Sequence, residues 1–253
     1  MKNPIIEVKN LSFGYDTPIL KNISLDIKEG EFVSVVGPNG AGKSTFIKCL
    51  CNILKTENAI FIRGRKKESY SSKDMAKIIS YVPQSVTREF HYTCREFVLM
   101  SRYPYTDSFS SLKKEDYEAC ERAMELTETA QFRDRLMDTL SGGERQKVLI
   151  ASAVAQEAEV MLLDEPTSYL DPKHISEVMK CVKKVNEKTS VIMVTHELNT
   201  VFMSDRVIAL KKGEIVSDTD PDVFFEKRVG DRVFDTEFVY FSDKEKKYIF
   251  PKI

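Results

Sequence analysis

At roughly 150 residues per domain, a chain of 253 residues has room for one sizeable core plus an appended piece. Hydrophobic residues at 42% and charged residues at 30% exclude a disordered chain, and a mean hydropathy of -0.30 without an apolar run of about 18 residues excludes a membrane span. Lys+Arg 38 against Asp+Glu 39 gives a net charge of -1, so no global basic field exists to draw the chain to nucleic acid or anionic lipid.

The start, Met1 to Glu7, has too short an apolar stretch for a secretory signal, and the mature chain is expected to begin near Met1. Short alternating strands are predicted at Ile6–Asn10 and Ile23–Ile27, with a turn at Lys28-Glu29-Gly30. Glu31–Val36 is a β-branched run that enters Gly37-Pro38-Asn39-Gly40-Ala41-Gly42-Lys43-Ser44-Thr45, after which Phe46, Ile47, Leu50 and Ile53 carry a helical period. Further strands are expected at Ala59–Ile62 and Ile78–Val82, with a short helix around Ser72–Ala76 between them and Pro83-Gln84 at the end.

From Thr93 to about Arg135 the pattern turns helical, opening on the capping box Thr93-x-x-Glu96, and reads as a helical insertion. A second box, Ser141-Gly142-Gly143-Glu144, opens a helix to about Gln156, and Val160–Leu163 is a continuous apolar strand of the parallel-sheet kind. Asp171 as N-cap with Pro172 at the first helical position starts a helix to about Glu187, followed by a strand at Val191–Val194. The tail holds two alternating pairs, Val207–Leu210 with Glu214–Ser217 and Phe238–Phe241 with Lys247–Phe250. Cys49, Cys51, Cys94, Cys120 and Cys181 are odd in number, lack C-x-x-C spacing and read as reduced thiols. His91, His174 and His196 are too far apart for a zinc site, and the first two read as surface residues.

Gly37–Thr45 fits G-x-x-x-x-G-K-[ST], in which backbone N–H groups converge on phosphate oxygens at a helix N-terminus and the lysine, here Lys43, reaches the β and γ phosphates. The Ser44 hydroxyl would then face a magnesium ion, which prefers oxygen ligands. Asp164 ends the strand Val160–Leu163, so a buried strand delivers a candidate magnesium carboxylate to the sheet edge where phosphate ligands bind. Glu165 follows it, placed to orient or deprotonate a water attacking a phosphate. Leu140–Gln146 is a second anion site in kind, since a serine-capped helix start with two glycines exposes N–H groups.

With these segments in this order, nearly the whole chain resembles the ATP-binding cassette (ABC) ATPases. Their Walker A matches Gly37–Thr45, their Walker B Val160–Glu165 and their signature Leu140–Gln146. The resemblance implies an α/β fold: a P-loop NTPase core with an antiparallel β subdomain and a helical signature subdomain. Applied to this chain, it gives a single ABC ATPase domain over 1–253. The RecA-like core would take about 1–90 and 157–220, the helical part about 91–156, and a C-terminal β extension about 221–253. It implies adenine stacking on Tyr15, a Q-loop role beside the metal and water for Gln84, a D-loop at Asp171 and a switch histidine at His196 after Thr195. Catalysis would then fall to Glu165, His196 and Gln84. Nucleotide binding would fall to Tyr15, residues 37–45, Ser141, Gly142, Gly143, Gln146 and Asp171, and magnesium to Ser44, Gln84 and Asp164.

It also implies a head-to-tail dimer in which one subunit's signature closes on the ATP held by the other's Walker A. Tyr169 stands where many members have a small residue or histidine, which bears on D-loop packing. The segment Thr93 to Tyr105 resembles the one found in ATPases of iron-siderophore, haem and vitamin B12 importers, with Cys94 and Ser101 as departures. Its end, Arg102-Tyr103-Pro104-Tyr105, is expected to be a rim for a permease helix. The implied partners are a second ATP-binding subunit, integral-membrane permease subunits and indirectly a substrate-binding protein, at the cytoplasmic face of the membrane. A soluble ABC ATPase of iron-sulfur cluster assembly is the alternative.

Overall fold

The computed structural model describes residues 4–84, 91–106, 111–244 and 246–252, so the expected start at Met1 lies outside the described residues. The chain divides into two compact units, Met1–Ser69 with Ile192–Ile253 and Tyr70–Val191.

The first unit begins with β1 (Pro4–Gly14), β2 (Pro18–Lys28), β3 (Phe32–Val36), α1 (Lys43–Leu50), β4 (Ile60–Ile62) and β5 (Arg65–Lys66). β1 and β2 form an antiparallel hairpin longer than the sequence pattern indicates, and with β4 and β5 they make a sheet in the order β2-β1-β4-β5. β1 and β2 both mix buried and exposed residues, as befits an antiparallel sheet with one wetted face, whereas all five residues of β3 are buried. α1 stops at Leu50 because Asn52 takes the left-handed conformation (φ 62°) that ends helices, leaving Ile53 56% exposed instead of on the helix.

The second unit holds α2 (Ser72–Ile78), β6 (Ile79–Val82), α3 (Cys94–Met100), α4 (Lys114–Leu126), α5 (Gly142–Ala155), β7 (Val160–Asp164) and α6 (Pro172–Asn186). β6 and β7 pair in parallel, and α3 and α4 both pack on α5. The stretch read as a helical insertion thus lies inside this unit as separate helices. Both capping boxes form: Thr93 Oγ1 accepts from the Glu96 N–H at 3.3 Å, and Ser141 Oγ accepts from the Glu144 N–H at 3.3 Å. Each glutamate returns a bond to its cap's own N–H, at 2.8 and 2.9 Å.

Arg102 does not form the rim expected of it. It is 4% exposed, its Nε donates to Asp116 Oδ1 at 2.9 Å, and one terminal nitrogen donates to the Ala155 carbonyl at 2.6 Å and to Glu157 Oε2 at 2.8 Å. The guanidinium also lies 4.0 Å from the Tyr105 ring centroid. A buried arginine must find partners for its charge, and these tie the end of α3 to α4 and α5. Tyr103 does stay outside, 68% exposed, with the Lys73 ammonium over its ring.

β8 (Ser190–Val194) returns the chain to the first unit, which continues with β9 (Arg206–Lys211), β10 (Glu214–Thr219), α7 (Pro221–Glu226), α8 (Val229–Phe234), β11 (Phe238–Asp243) and β12 (Lys246–Pro251). β9 lies parallel to β3 and antiparallel to β10. The C-terminal piece is not purely β, because α7 and α8 precede its hairpin. It is also no loose appendage: Phe224, Val229, Val233, Phe238 and Ile249 share one buried cluster with Val36, Val207 and Ala209. The five cysteines are free, and burial pushes the Cys181 thiol up to about 12 and those of Cys49 and Cys120 to about 11, which keeps them unreactive.

Candidate nucleotide site

In the first unit, β3 runs into the loop 37–42 and the loop into α1, the strand, glycine loop and helix that the motif requires. Gly37 adopts φ 153°, and a Cβ there would lie 2.1 Å from the Leu210 carbonyl oxygen; Gly42 adopts φ 98°, where a Cβ would meet Leu20 Cδ2 at 2.8 Å. The loop is therefore pressed against its own unit and can present N–H groups outward only with glycine at these places. Lys43 is 5% exposed, and its ammonium donates to the Gly37 and Pro38 carbonyls at 2.8 and 3.1 Å. Its charge is thus held within the loop, where a phosphate would compete for it.

The Thr195 N–H bonds to the Val35 carbonyl at 3.1 Å, which sets His196 at the same strand end that feeds Gly37. The His196 side chain is 44% exposed and its Nε2 lies 3.8 Å from Glu197. Tyr15, in the turn between β1 and β2, is 68% exposed, and its ring is braced edge-on by Phe13 at 5.4 Å. An exposed aromatic braced by a single neighbouring ring suits a stacking role.

The second unit brings together residues that lie 81 apart: Gln84 Nε2 donates to Glu165 Oε2 at 2.7 Å. Ser168 Oγ donates to the same oxygen at 3.0 Å, and Tyr81 OH donates to Asp164 Oδ2 at 3.3 Å. The sequence reading missed Ser168 and Tyr81; Ser168 was accessible as a hydroxyl three residues beyond Glu165 in a turn. Glu165 itself has φ 49°, so the chain turns sharply after Asp164, which is 3% exposed, and leaves Glu165 half-buried.

At the start of α5 the Ser141 hydroxyl accepts the Glu144 N–H and the Glu144 carboxylate accepts the Ser141 N–H. The Ser141 N–H holds the Glu144 carboxyl below the usual range, with burial opposing and the Ser141 hydroxyl and Arg135 adding to it. Gln146, 8% exposed, has a buried Nε2 with no hydrogen-bond partner, an orphaned donor beside the signature turn. Asp171 caps α6, accepting from the His174 N–H at 3.0 Å, while Tyr169 beside it is 96% exposed at φ 64°. His174 is no free surface histidine: its side chain is 29% exposed, and its Nδ1 lies 2.7 Å from Asp171 Oδ2.

The sequence pattern of the family described as ABC transporter matches residues 20–168, from β2 to the turn after Glu165. This chain belongs to the ABC transporter ATP-binding family. Among its relatives, the petrobactin import ATP-binding protein FpuC of Bacillus anthracis is 37% identical over 237 residues, covering 92% of this chain and 87% of that protein. A solved structure described as an inward-facing conformation of a metal-chelate type ABC transporter superposes with a TM-score of 0.85 at 27% identity, covering 99% of this chain and 98% of that one. The dimeric post-hydrolysis state of the cassette MJ0796 bound to ADP and Pi gives a TM-score of 0.75 at 29% identity, covering 85% of this ABC subunit and 98% of that chain. This ABC protein is accordingly an ATP-binding ATPase subunit with the family's mixed α/β fold. Among the described residues no helix is long and apolar enough to cross a membrane.

Proposed function

We propose that this chain is the ATP-hydrolysing subunit of an importer for a metal chelate such as an iron-siderophore, working as a dimer on the cytoplasmic face of a membrane permease. In this reading the loop 37–45 and Lys43 bind the ATP phosphates, Tyr15 stacks on the adenine, and Ser141, Gly142, Gly143, Gln146 and Asp171 serve the nucleotide held by the partner subunit. Magnesium, when bound, neutralises phosphate oxygens. The donors this chain would offer it, the Ser44 hydroxyl, the Asp164 carboxylate and the Gln84 amide oxygen, are all oxygen atoms, and they leave about half of an octahedral shell to phosphate and water. Among the described residues there is no cluster of three or more His, Cys, Asp or Glu of the kind a softer metal would use.

Glu165 is the group that accepts a proton from the attacking water or orients it, and His196 is the second group facing the γ phosphate. The observation that carries the reading is the Gln84–Glu165 hydrogen bond, because it holds the candidate base in a defined rotamer and attaches it to the residue that opens the segment toward Tyr103. The import role rests on the likeness to FpuC and to the metal-chelate transporter, both of which extend over nine-tenths or more of this chain. They favour import over the iron-sulfur assembly alternative. The test is uptake of radiolabelled ferric siderophore into vesicles carrying the permease with this subunit. ATP-dependent uptake is expected, and a subunit that hydrolyses ATP but joins no permease would refute the import reading.

A further inference from the structure

The start of α6 is fastened to the start of α5 by contacts in register. A Cβ built on Gly143 would lie 2.2 Å from Cδ2, 2.6 Å from Cγ and 2.9 Å from Cβ of His174, so the imidazole occupies the space that any side chain at Gly143 would need. One residue earlier, a Cβ on Gly142 would touch Leu170 Cδ2 at 3.4 Å. One turn further along, Lys147 Nζ donates to Glu177 Oε2 at 3.0 Å, and Lys147 is only 9% exposed. His174 is itself held by both oxygens of one carboxylate, Asp171 Oδ1 accepting its N–H at 3.0 Å and Oδ2 lying 2.7 Å from its Nδ1. Those two bonds, the backbone one first, keep the Asp171 carboxyl below its ordinary range, so it remains an acceptor and Nδ1 carries the proton. The ring therefore has one orientation, with its Cγ–Cδ2 side against the signature turn.

We propose that His174 is a positioning residue for nucleotide: clamped by Asp171, its ring is the seat on which Ser141-Gly142-Gly143 rests, and it makes the signature turn and the Asp171 segment one rigid piece. Anion binding at a helix start depends on where its free N–H groups point, and a displacement of about 1 Å is enough to cost activity. Without the ring, Gly143 faces a void and Asp171 loses the partner of Oδ2, while the backbone cap from Asp171 to residue 174 remains. α6 itself is thus kept and only its hold on the signature turn is lost. The inference rests on the reading of this chain as an ATPase whose signature faces the partner subunit's nucleotide.

The test uses the full-length subunit with His174→Ala and His174→Asn, the latter keeping a side-chain donor to Asp171. Three quantities are measured: the ATP dependence of hydrolysis, ATP-driven dimerisation in a Glu165→Gln background, and Tm. For His174→Ala the half-saturating ATP concentration should rise about tenfold, a change of about 1.4 kcal/mol, with a smaller effect at saturating ATP. Its ATP-driven dimerisation should need correspondingly more nucleotide, its Tm should stay near that of the parent, and His174→Asn should recover most of the loss. Two outcomes overturn the inference: unchanged ATP dependence in His174→Ala, or a loss in both variants that simply follows Tm. A parent protein with no ATPase activity would instead refute the reading on which the inference stands.

Discussion

Replacing Arg102 by alanine should destabilise the isolated protein well before any effect on a permease is read. The substitution strips partners from Asp116, whose side chain is 6% exposed, and from the buried Ala155 carbonyl, and it removes the cation from above Tyr105. Breaking a buried pair by deleting one member costs about 3–5 kcal/mol, because the remaining charge is stranded. At about 2–4 °C per kcal/mol for a chain of this size, Tm should fall by about 6–20 °C. Thermal melts followed by circular dichroism, with Arg102→Lys beside Arg102→Ala, provide the assay. Lysine should recover only part of the loss, since one ammonium cannot reach Asp116, Ala155 and Glu157 in the fork geometry that the guanidinium uses. If Arg102→Ala melts within about 2 °C of the parent, well under the smallest shift worked out above, the buried network contributes little.

Further outcomes follow from the same geometry. Burial opposes ionisation of Asp116, but its bond from the Lys113 N–H and the Arg102 guanidinium outweigh that and lower its pKa. Its contribution should therefore be complete above the unfolded value of about 3.9 and be lost as pH falls through the depressed one. The Tm gap between parent and Asp116→Asn should accordingly close only in acid, and a gap that closes toward alkaline pH would contradict this. Tyr15→Ala should weaken ATP binding about 5- to 150-fold, the equivalent of about 1–3 kcal/mol for base stacking, while Tyr15→Phe stays close to the parent in a nucleotide titration. Tyr103→Ala, at a ring 68% exposed, should leave basal hydrolysis within about twofold yet weaken co-purification with the permease, and normal assembly would return Tyr103 to plain surface.

Local chemistry was legible in the sequence wherever a backbone need and a side chain meet within a few residues. The Thr93–Glu96 and Ser141–Glu144 boxes and the Asp171-Pro172 helix start all formed as read. Asp220-Pro221 carries the same cap and proline signal and opens α7, but a helix of six residues is too short to show a 3.6-residue period and was passed over. Asn52 as a left-handed stop was likewise present in the letters and outweighed by the apolar Ile53. What the sequence could not display was distance. Arg102 finds Asp116 and Glu157 at separations of 14 and 55 residues, so nothing near it distinguishes a buried clamp from an exposed rim. His174 likewise looks like a surface histidine until the fold lays it over Gly143. The resemblance gave Gln84 and Glu165 separate roles without pairing them, and the structure joins them by a bond across 81 residues.

Phosphate release under saturating ATP, parent against Glu165→Gln, tests the central claim most directly. A positioned acid–base group contributes on the order of 10²–10⁴-fold, so the variant should lose at least about a hundredfold in rate while still binding ATP and accumulating as an ATP-bound dimer. Equal phosphate release by the two proteins would contradict the assignment of Glu165, and with it the account of how this site hydrolyses ATP.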